Sequence, residues 1–115
     1  MTKLIKAITV DPYLKMITES EIENSLEGFQ HAIGDHFIEL VRLDDNQLMY
    51  VDSEGLFREN QQFFVYNKKF PFAGKAIIFG DNGEGGSIDT KYIATDVAKK
   101  VDFHSVEEIQ RMRLG

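Results

Sequence analysis

The sequence contains no cysteine, and among its 115 residues only two are proline and three histidine. Without cysteine there is no disulfide framework, no thiolate metal site and no cysteine nucleophile. Long apolar runs are also missing: nothing approaches the roughly 20 residues needed to span a bilayer. The opening stretch MTKLIKAITV lacks the length and the small-residue cleavage site of a signal peptide, which places the protein in the cytoplasm with no membrane contact. Positive charge is scarce, with 13 basic against 19 acidic residues and a net charge of -6, so nonspecific attraction to nucleic acid or to an anionic membrane is disfavoured. A basic surface on another protein is the partner such a charge suits. No Gly-x-Ser-x-Gly elbow occurs.

What is present fits one folded domain over residues 1–115. Hydrophobic residues make up 43% of the chain and nine are phenylalanine. A chain of this length buries about two thirds of its unfolded surface in a single core. No internal repeat, low-complexity tract or linker divides it.

The most apolar run adjoins the most glycine-rich loop. Ala76-Ile77-Ile78-Phe79, bounded by Gly74 and Gly80, has the pattern of a buried strand. Gly80-Asp81-Asn82-Gly83-Glu84-Gly85-Gly86 then reads as an exposed turn. Its glycine spacing is not that of a dinucleotide loop, no Gly-Lys-Ser/Thr comes after it, and Asp81 and Glu84 repel an anion. Its three side-chain oxygens lack the spacing and the closing Glu of a calcium loop.

Earlier in the chain, Lys3 to Val10 reads as a strand covered on both faces, ended by Asp11-Pro12, and Tyr13 to Ile22 as a second strand returning beside it. Asn24-Ser25-Leu26-Glu27 has the form of a capping box, and Leu26, Phe29 and Ile33 recur at helical spacing up to Gly34. Phe37–Leu43 and Gln47–Val51 form a hairpin with Asp45-Asn46 at its tip. Phe63 to Tyr66 is a short strand, Asn67-Lys68-Lys69 a polar break, and Pro71 delays further pairing until near Gly74. Tyr92, Ile93, Val97 and Val101 with Ala94 and Ala98 suggest a helix, and Ser105-Val106-Glu107-Glu108 caps a terminal one. The expected fold is therefore α+β: a small mixed or antiparallel sheet of about five strands, one helix packed on it, and a helical C-terminal segment.

The residues available for chemistry do not assemble a catalytic set. His31, His36 and His104 lack metal-ligand spacing, so no metal or other cofactor is expected. Asp44, Asp45, Asp52 and Glu54 sit in turns open to water, where paired carboxylates do not acquire the split pKa values of a general acid and base. Arg58 and Asn60, with Phe63, Phe64 and Tyr66 just beyond them, have the composition of a recognition surface. The same aromatics serve equally well as core.

Four segments together resemble a family of small uncharacterised proteins of phages, prophages and other mobile elements. These are Ser25-Leu26-Glu27-Gly28-Phe29-Gln30 with Gly34, Ile38-Glu39-Leu40-Val41, Val51-Asp52-Ser53-Glu54-Gly55 leading to Glu59-Asn60, and Ala73-Gly74-Lys75-Ala76-Ile77-Ile78-Phe79-Gly80-Asp81. Where the family pattern has Arg after the Asn, this chain has Arg58 before Asn60 and Gln61 after it. The resemblance spans roughly residues 3 to 85 and implies a setting rather than an activity.

The expected function is that of a nonenzymatic accessory protein of a phage or mobile element, working in the cytoplasm of a bacterial host. It binds a host protein or partner subunit through Arg58, Asn60, Phe64 and Tyr66. The alternative is a small-molecule binder for a nucleotide-like ligand, with the aromatics stacking and Lys68, Lys69 or Lys75 meeting phosphate. An uncovered strand edge would also allow a homodimer.

Overall fold

Strand pairing sets the architecture, and the computed structural model describes it for residues 3–55 and 61–114. The first unit is β1 (Leu4–Asp11), β2 (Met16–Glu23), α1 (Leu26–Ile33), β3 (Ile38–Arg42) and β4 (Gln47–Asp52). Then come β5 (Gln62–Tyr66), β6 (Pro71–Ala73), β7 (Ala76–Asp81) and β8 (Ser87–Ile88). The chain closes with α2 (Ala94–Ala98), β9 (Val101–Ser105) and α3 (Val106–Leu114).

Among the described residues the strands form two antiparallel sheets rather than the one expected. The larger has six strands in the order β2-β1-β7-β4-β3, with β8 pairing β7 beyond the stretch that β1 pairs. The smaller has three, ordered β6-β5-β9. The buried run at Ala76–Phe79 becomes the central strand of the larger sheet, between β1 and β4.

Side-chain alternation explains why the layers stack as they do. Successive strand residues face opposite ways, and in β1, β4 and β7 both sets are apolar. One set, Ile5, Ala7, Leu48, Ile77 and Phe79, packs under Phe29 and Ile33 of α1. There the Phe29 ring lies 4.9 Å from Tyr50 and 4.8 Å from Phe79, in the tilted arrangement that aromatic quadrupoles favour. The opposite set, including Ile8, Val10, Met49 and Ile78, packs against Phe64 and Tyr66 of β5 together with Val97 and Val101. The outer face of the small sheet, Phe63, Val65 and Ala73, is covered by Ile109 of α3. The result is four layers: α1, large sheet, small sheet, α3. Among the described residues no helix is long and apolar enough to cross a membrane.

Helix ends obey local chemistry. Ser25, not Asn24, caps α1, its Oγ accepting from the Gly28 N–H at 3.0 Å. Asn24 instead donates its side-chain amide to the Ser87 carbonyl at 3.1 Å. Gly34 closes the helix in the left-handed conformation that glycine adopts without penalty. At α3 the reciprocal cap is present: Ser105 N–H donates to Glu108 Oε1 at 3.1 Å, and Glu108 N–H to Ser105 Oγ at 3.3 Å. The Ser105 N–H bond, and after it the His104 and Ser105 side chains, hold the Glu108 carboxyl below its ordinary range.

Two expectations need correction. The helix expected from Tyr92 to Val101 shrinks to Ala94–Ala98, and Val101 begins a strand whose residues pair with Tyr66 through Gln62. Pro71 does not delay pairing either. It opens β6 opposite Val65, which is tolerated because β6 is an edge strand and needs no N–H donor on its free side.

Two hairpins end in tight tips with left-handed backbone. Asp45 and Asn46 join β3 to β4 with φ of 60° and 58°, and Asn67 and Lys68 join β5 to β6 with φ of 53° and 57°. Both-positive φ matches the strand twist of a hairpin and suits Asn-Gly best. A lysine in that conformation costs about 1 kcal/mol. Lys68→Gly is therefore expected to stabilise the protein by about 0.5–1 kcal/mol, raising the melting temperature by a few degrees in calorimetry.

Candidate ligand cavity

Because β3–β4 belongs to one sheet and β5–β6 to the other, stacking the sheets brings their two tips together at one end of the sandwich. A cavity of about 230 Å³ lies between them. Val41, Leu43 and Met49 form its wall on the large-sheet side, and Tyr66 and Phe72 on the other, with Asn67, Lys69 and Phe70 around the mouth. Arg42 borders it too, with its guanidinium 3.3 Å from Asp81 Oδ2.

Tyr66 is the unusual member. Only 7% of it is exposed, and its hydroxyl is buried without a hydrogen-bond partner among the described residues. An unsatisfied buried polar group costs roughly 1–3 kcal/mol, so its retention calls for an explanation. Burial pushes its pKa up to about 12, with repulsion from an ionised Tyr92 and from the Asp44 and Asp45 carboxylates acting in the same direction. The phenol therefore stays protonated and keeps one hydrogen to donate. Beside it, the Tyr92 hydroxyl donates to the Asp44 carbonyl at 3.2 Å and lies 3.4 Å from Asp45 Oδ2, and Lys100 Nζ stands 4.8 Å from the Tyr92 ring centre. Burial and then Asp45 raise the Tyr92 pKa as well.

This arrangement makes an alkaline prediction. A phenol with a folded pKa of about 12 and an unfolded one of 10.0 contributes stability that is complete below pH 10.0 and is lost as pH rises toward 12. The loss attributable to Tyr66 is about 2–3 kcal/mol. Tyr66→Phe should flatten that part of the profile when urea midpoints are compared at about pH 9 and about pH 11.

The residues singled out in the sequence separate in space. Phe64 is fully buried between the sheets, its ring 5.4 Å from Phe72. It is core rather than an exposed contact. Tyr66 reaches the cavity. Lys69 lies at the cavity mouth, and Lys68 is exposed in the adjoining turn. Lys75, half-buried between β6 and β7, is not part of the lining. Arg58 and Asn60 lie outside the described residues.

The other candidates resolve into local structure. In the glycine-rich loop, Asp81 Oδ1 accepts from Gly83 N–H at 3.0 Å, and Asn82 Oδ1 accepts from Glu84 and Gly86 at 2.7 and 2.9 Å. The N–H groups of Gly83, Glu84 and Gly86, which a phosphate would need, are thus taken by the loop's own side chains. His31 and His36 are exposed, and His104 Nδ1 sits 3.4 Å from Glu108. Among the described residues no three His, Asp or Glu side chains converge as metal ligands.

Sequence reasoning missed Met49, Phe72 and Tyr92 as neighbours of this site. The available signal was the pair of turn dipeptides, Asp45-Asn46 and Asn67-Lys68, each readable as a tip. That the tips meet depends on the stacking of two sheets, which no local pattern encodes.

A family model described as Domain of unknown function (DUF3846) matches residues 5–102. No curated protein and no solved structure matches the chain.

Proposed function

The chain belongs to the DUF3846 family, a domain of unknown function, and we propose that this member is a nonenzymatic accessory protein that works by holding a small molecule between its two hairpin tips. The observation that carries this reading is the cavity of about 230 Å³ between the tips, with Val41, Leu43, Met49, Tyr66 and Phe72 as apolar walls and Asp44, Asn67 and Lys69 as polar groups on its lining. Ligand sites commonly combine apolar walls with a few placed polar groups. The resemblance to proteins of phages and mobile elements supports a setting in the cytoplasm of a bacterial host.

The test is native mass spectrometry of untagged protein isolated gently from a bacterial host, and then thermal shift against a metabolite panel. A discrete mass excess that vanishes on denaturation, or a ligand that raises the melting temperature, is the expected result. Bare protein that no panel member stabilises would sink the reading.

Contact with a host protein or a partner subunit is the second reading. It is supported by large apolar side chains left at the surface, among them Phe70 at 77% and Leu14 at 67% exposure. A copurifying protein lost from Phe70→Ala or Leu14→Ser would favour it.

A further inference from the structure

We infer that the protein forms a two-fold dimer in which the open edge of β3 pairs with the same edge of a second copy, continuing the large sheet across both molecules and bringing Phe37 of each copy to the border of the other's hairpin cavity. The inference is independent of what that cavity holds.

Main-chain phase sets where pairing is possible. The large sheet ends at β2 on one side and at β3 on the other. In an antiparallel ladder, residue pairs that exchange hydrogen bonds alternate with pairs whose N–H and C=O groups point away from each other. Leu43 N–H donates to the Gln47 carbonyl at 2.8 Å and Ser53 N–H to the Phe37 carbonyl at 3.1 Å, so Phe37, Glu39, Val41 and Leu43 turn their main chain toward β4. Ile38, Leu40 and Arg42 turn theirs outward, where no described residue meets them. On β2 the phase follows from Asn24 N–H, which donates to the Lys3 carbonyl at 2.7 Å and leaves Ile17, Glu19 and Glu21 outward.

Side chains decide between the two edges. Self-pairing of β2 centred on Glu21 sets Glu21 against Glu21 and Glu19 against Glu23, and like charges directly opposite each other destabilise a sheet. That edge refuses a second copy of itself. The β3 edge accepts one. Centred on Leu40, the pairing sets Leu40 against Leu40, Ile38 against Arg42, Glu39 against Val41 and Phe37 against Leu43, with no charge opposite its own kind. Leu40 and Phe37 are 49% and 60% exposed in the single chain, so the contact removes apolar surface from water. Register is fixed from both sides: setting Ile38 against Leu40 opposes the two Glu39 carboxylates, and setting Leu40 against Arg42 moves Phe37 from Leu43 to the charged turn at Asp45.

Alternate strand residues share a face, so Phe37 is on the side of Val41 and Leu43, which line the cavity. Phe37 of the second copy therefore arrives opposite Leu43, at a cavity border that also holds Phe70, itself 77% exposed.

The experiment is sedimentation velocity on the full chain from about 1 to about 100 µM, repeated on Leu40→Lys. The parent should pass from monomer to dimer over that range, and association should tighten with added salt, because each copy carries a net charge of -6. Leu40→Lys opposes two ammonium groups at the two-fold axis and should weaken the dimer by more than about tenfold. Its side chain is exposed in the monomer, so the urea midpoint at low concentration should match the parent's. Register is read by oxidising Leu40→Cys with oxidised glutathione, beside Glu21→Cys on the β2 edge. The chain has no cysteine of its own, and Cα atoms about 5.5 Å apart in a hydrogen-bonded pair lie within disulfide reach. Leu40→Cys should cross-link into a dimer much faster than Glu21→Cys. A parent that stays monomeric at the highest concentration overturns the inference, as does a dimer that persists in Leu40→Lys or cross-linking that is equally fast at both positions.

Discussion

Phe64→Ala is expected to cost about 3–5 kcal/mol of stability, the range for deleting a buried phenylalanine ring. Phe64 lies on the central strand of the small sheet, is 0% exposed, and faces Phe103 on one neighbouring strand and Phe72 on the other. Together with Tyr66 it fills the space between the sheets, where Ile8, Val10, Met49 and Ile78 meet it from the large sheet. The surroundings relax only partly around the missing ring, so a cavity term adds to the lost transfer energy. A domain of this size has only about 5–15 kcal/mol in total, and the variant should unfold at a much lower urea concentration with an unchanged slope. Phe70→Ala, at a position 77% exposed, should leave the midpoint nearly where it was. A Phe64→Ala midpoint equal to that of the parent would overturn its place in the core and return it to the surface role that its neighbours in the sequence suggest.

Much of the large sheet is readable from local pattern, and the reason is that its rules are local. Ala76–Phe79 is short, β-branched and aromatic, and it is buried on both faces as β7. Leu26, Phe29 and Ile33 with Gly34 at the end specify α1 within one element, and two of the three apolar residues point into the core. The small sheet is different. Its strand β9 reads Val101-Asp102-Phe103-His104, an alternation of period two, but Val97 and Val101 also stand four apart, and the helical spacing competes with it. Both residues are buried, so the apolar periodicity reports burial and not a continuous helix. Pairing of β9 with the distant β5, which sets Gln62 opposite Ser105 and Tyr66 opposite Val101, decides the matter. No window of neighbouring residues contains that information.

The cavity shows the same division between local and long-range information. Asp45-Asn46 and Asn67 are legible as turn residues because Asp and Asn side chains tolerate positive φ or bond to nearby backbone. Tyr66 is legible as an aromatic beside them. Its lone hydroxyl is not, because a phenol becomes unsatisfied only through what fails to lie near it once two sheets have closed. The raised pKa of Tyr66 has the same origin: closure removes water and brings Tyr92, Asp44 and Asp45 into range.

Gly28→Ala should destabilise the protein, although the change lies inside a helix, where alanine is ordinarily favoured over glycine by about 1 kcal/mol. Gly28 sits in the third position of α1, and an added methyl group there would run into the backbone carbonyl of Glu23 at the end of β2. A backbone carbonyl cannot swing aside as a long side chain would, so the helix must lift. Lifting α1 withdraws Phe29 and Ile33 from Phe79, Ile77 and Leu48. Overpacking of this kind costs roughly 1–3 kcal/mol, which outweighs the gain in helix propensity. Urea denaturation should therefore show a lower midpoint for Gly28→Ala, and a higher one would mean that α1 does not approach β2 as closely as the structure has it. The same variant separates stability from binding. Gly28 lies on the α1 face of the large sheet, whereas Met49 and Tyr66 meet on the opposite face, so any ligand held at the hairpin tips should bind the folded variant as tightly as the parent.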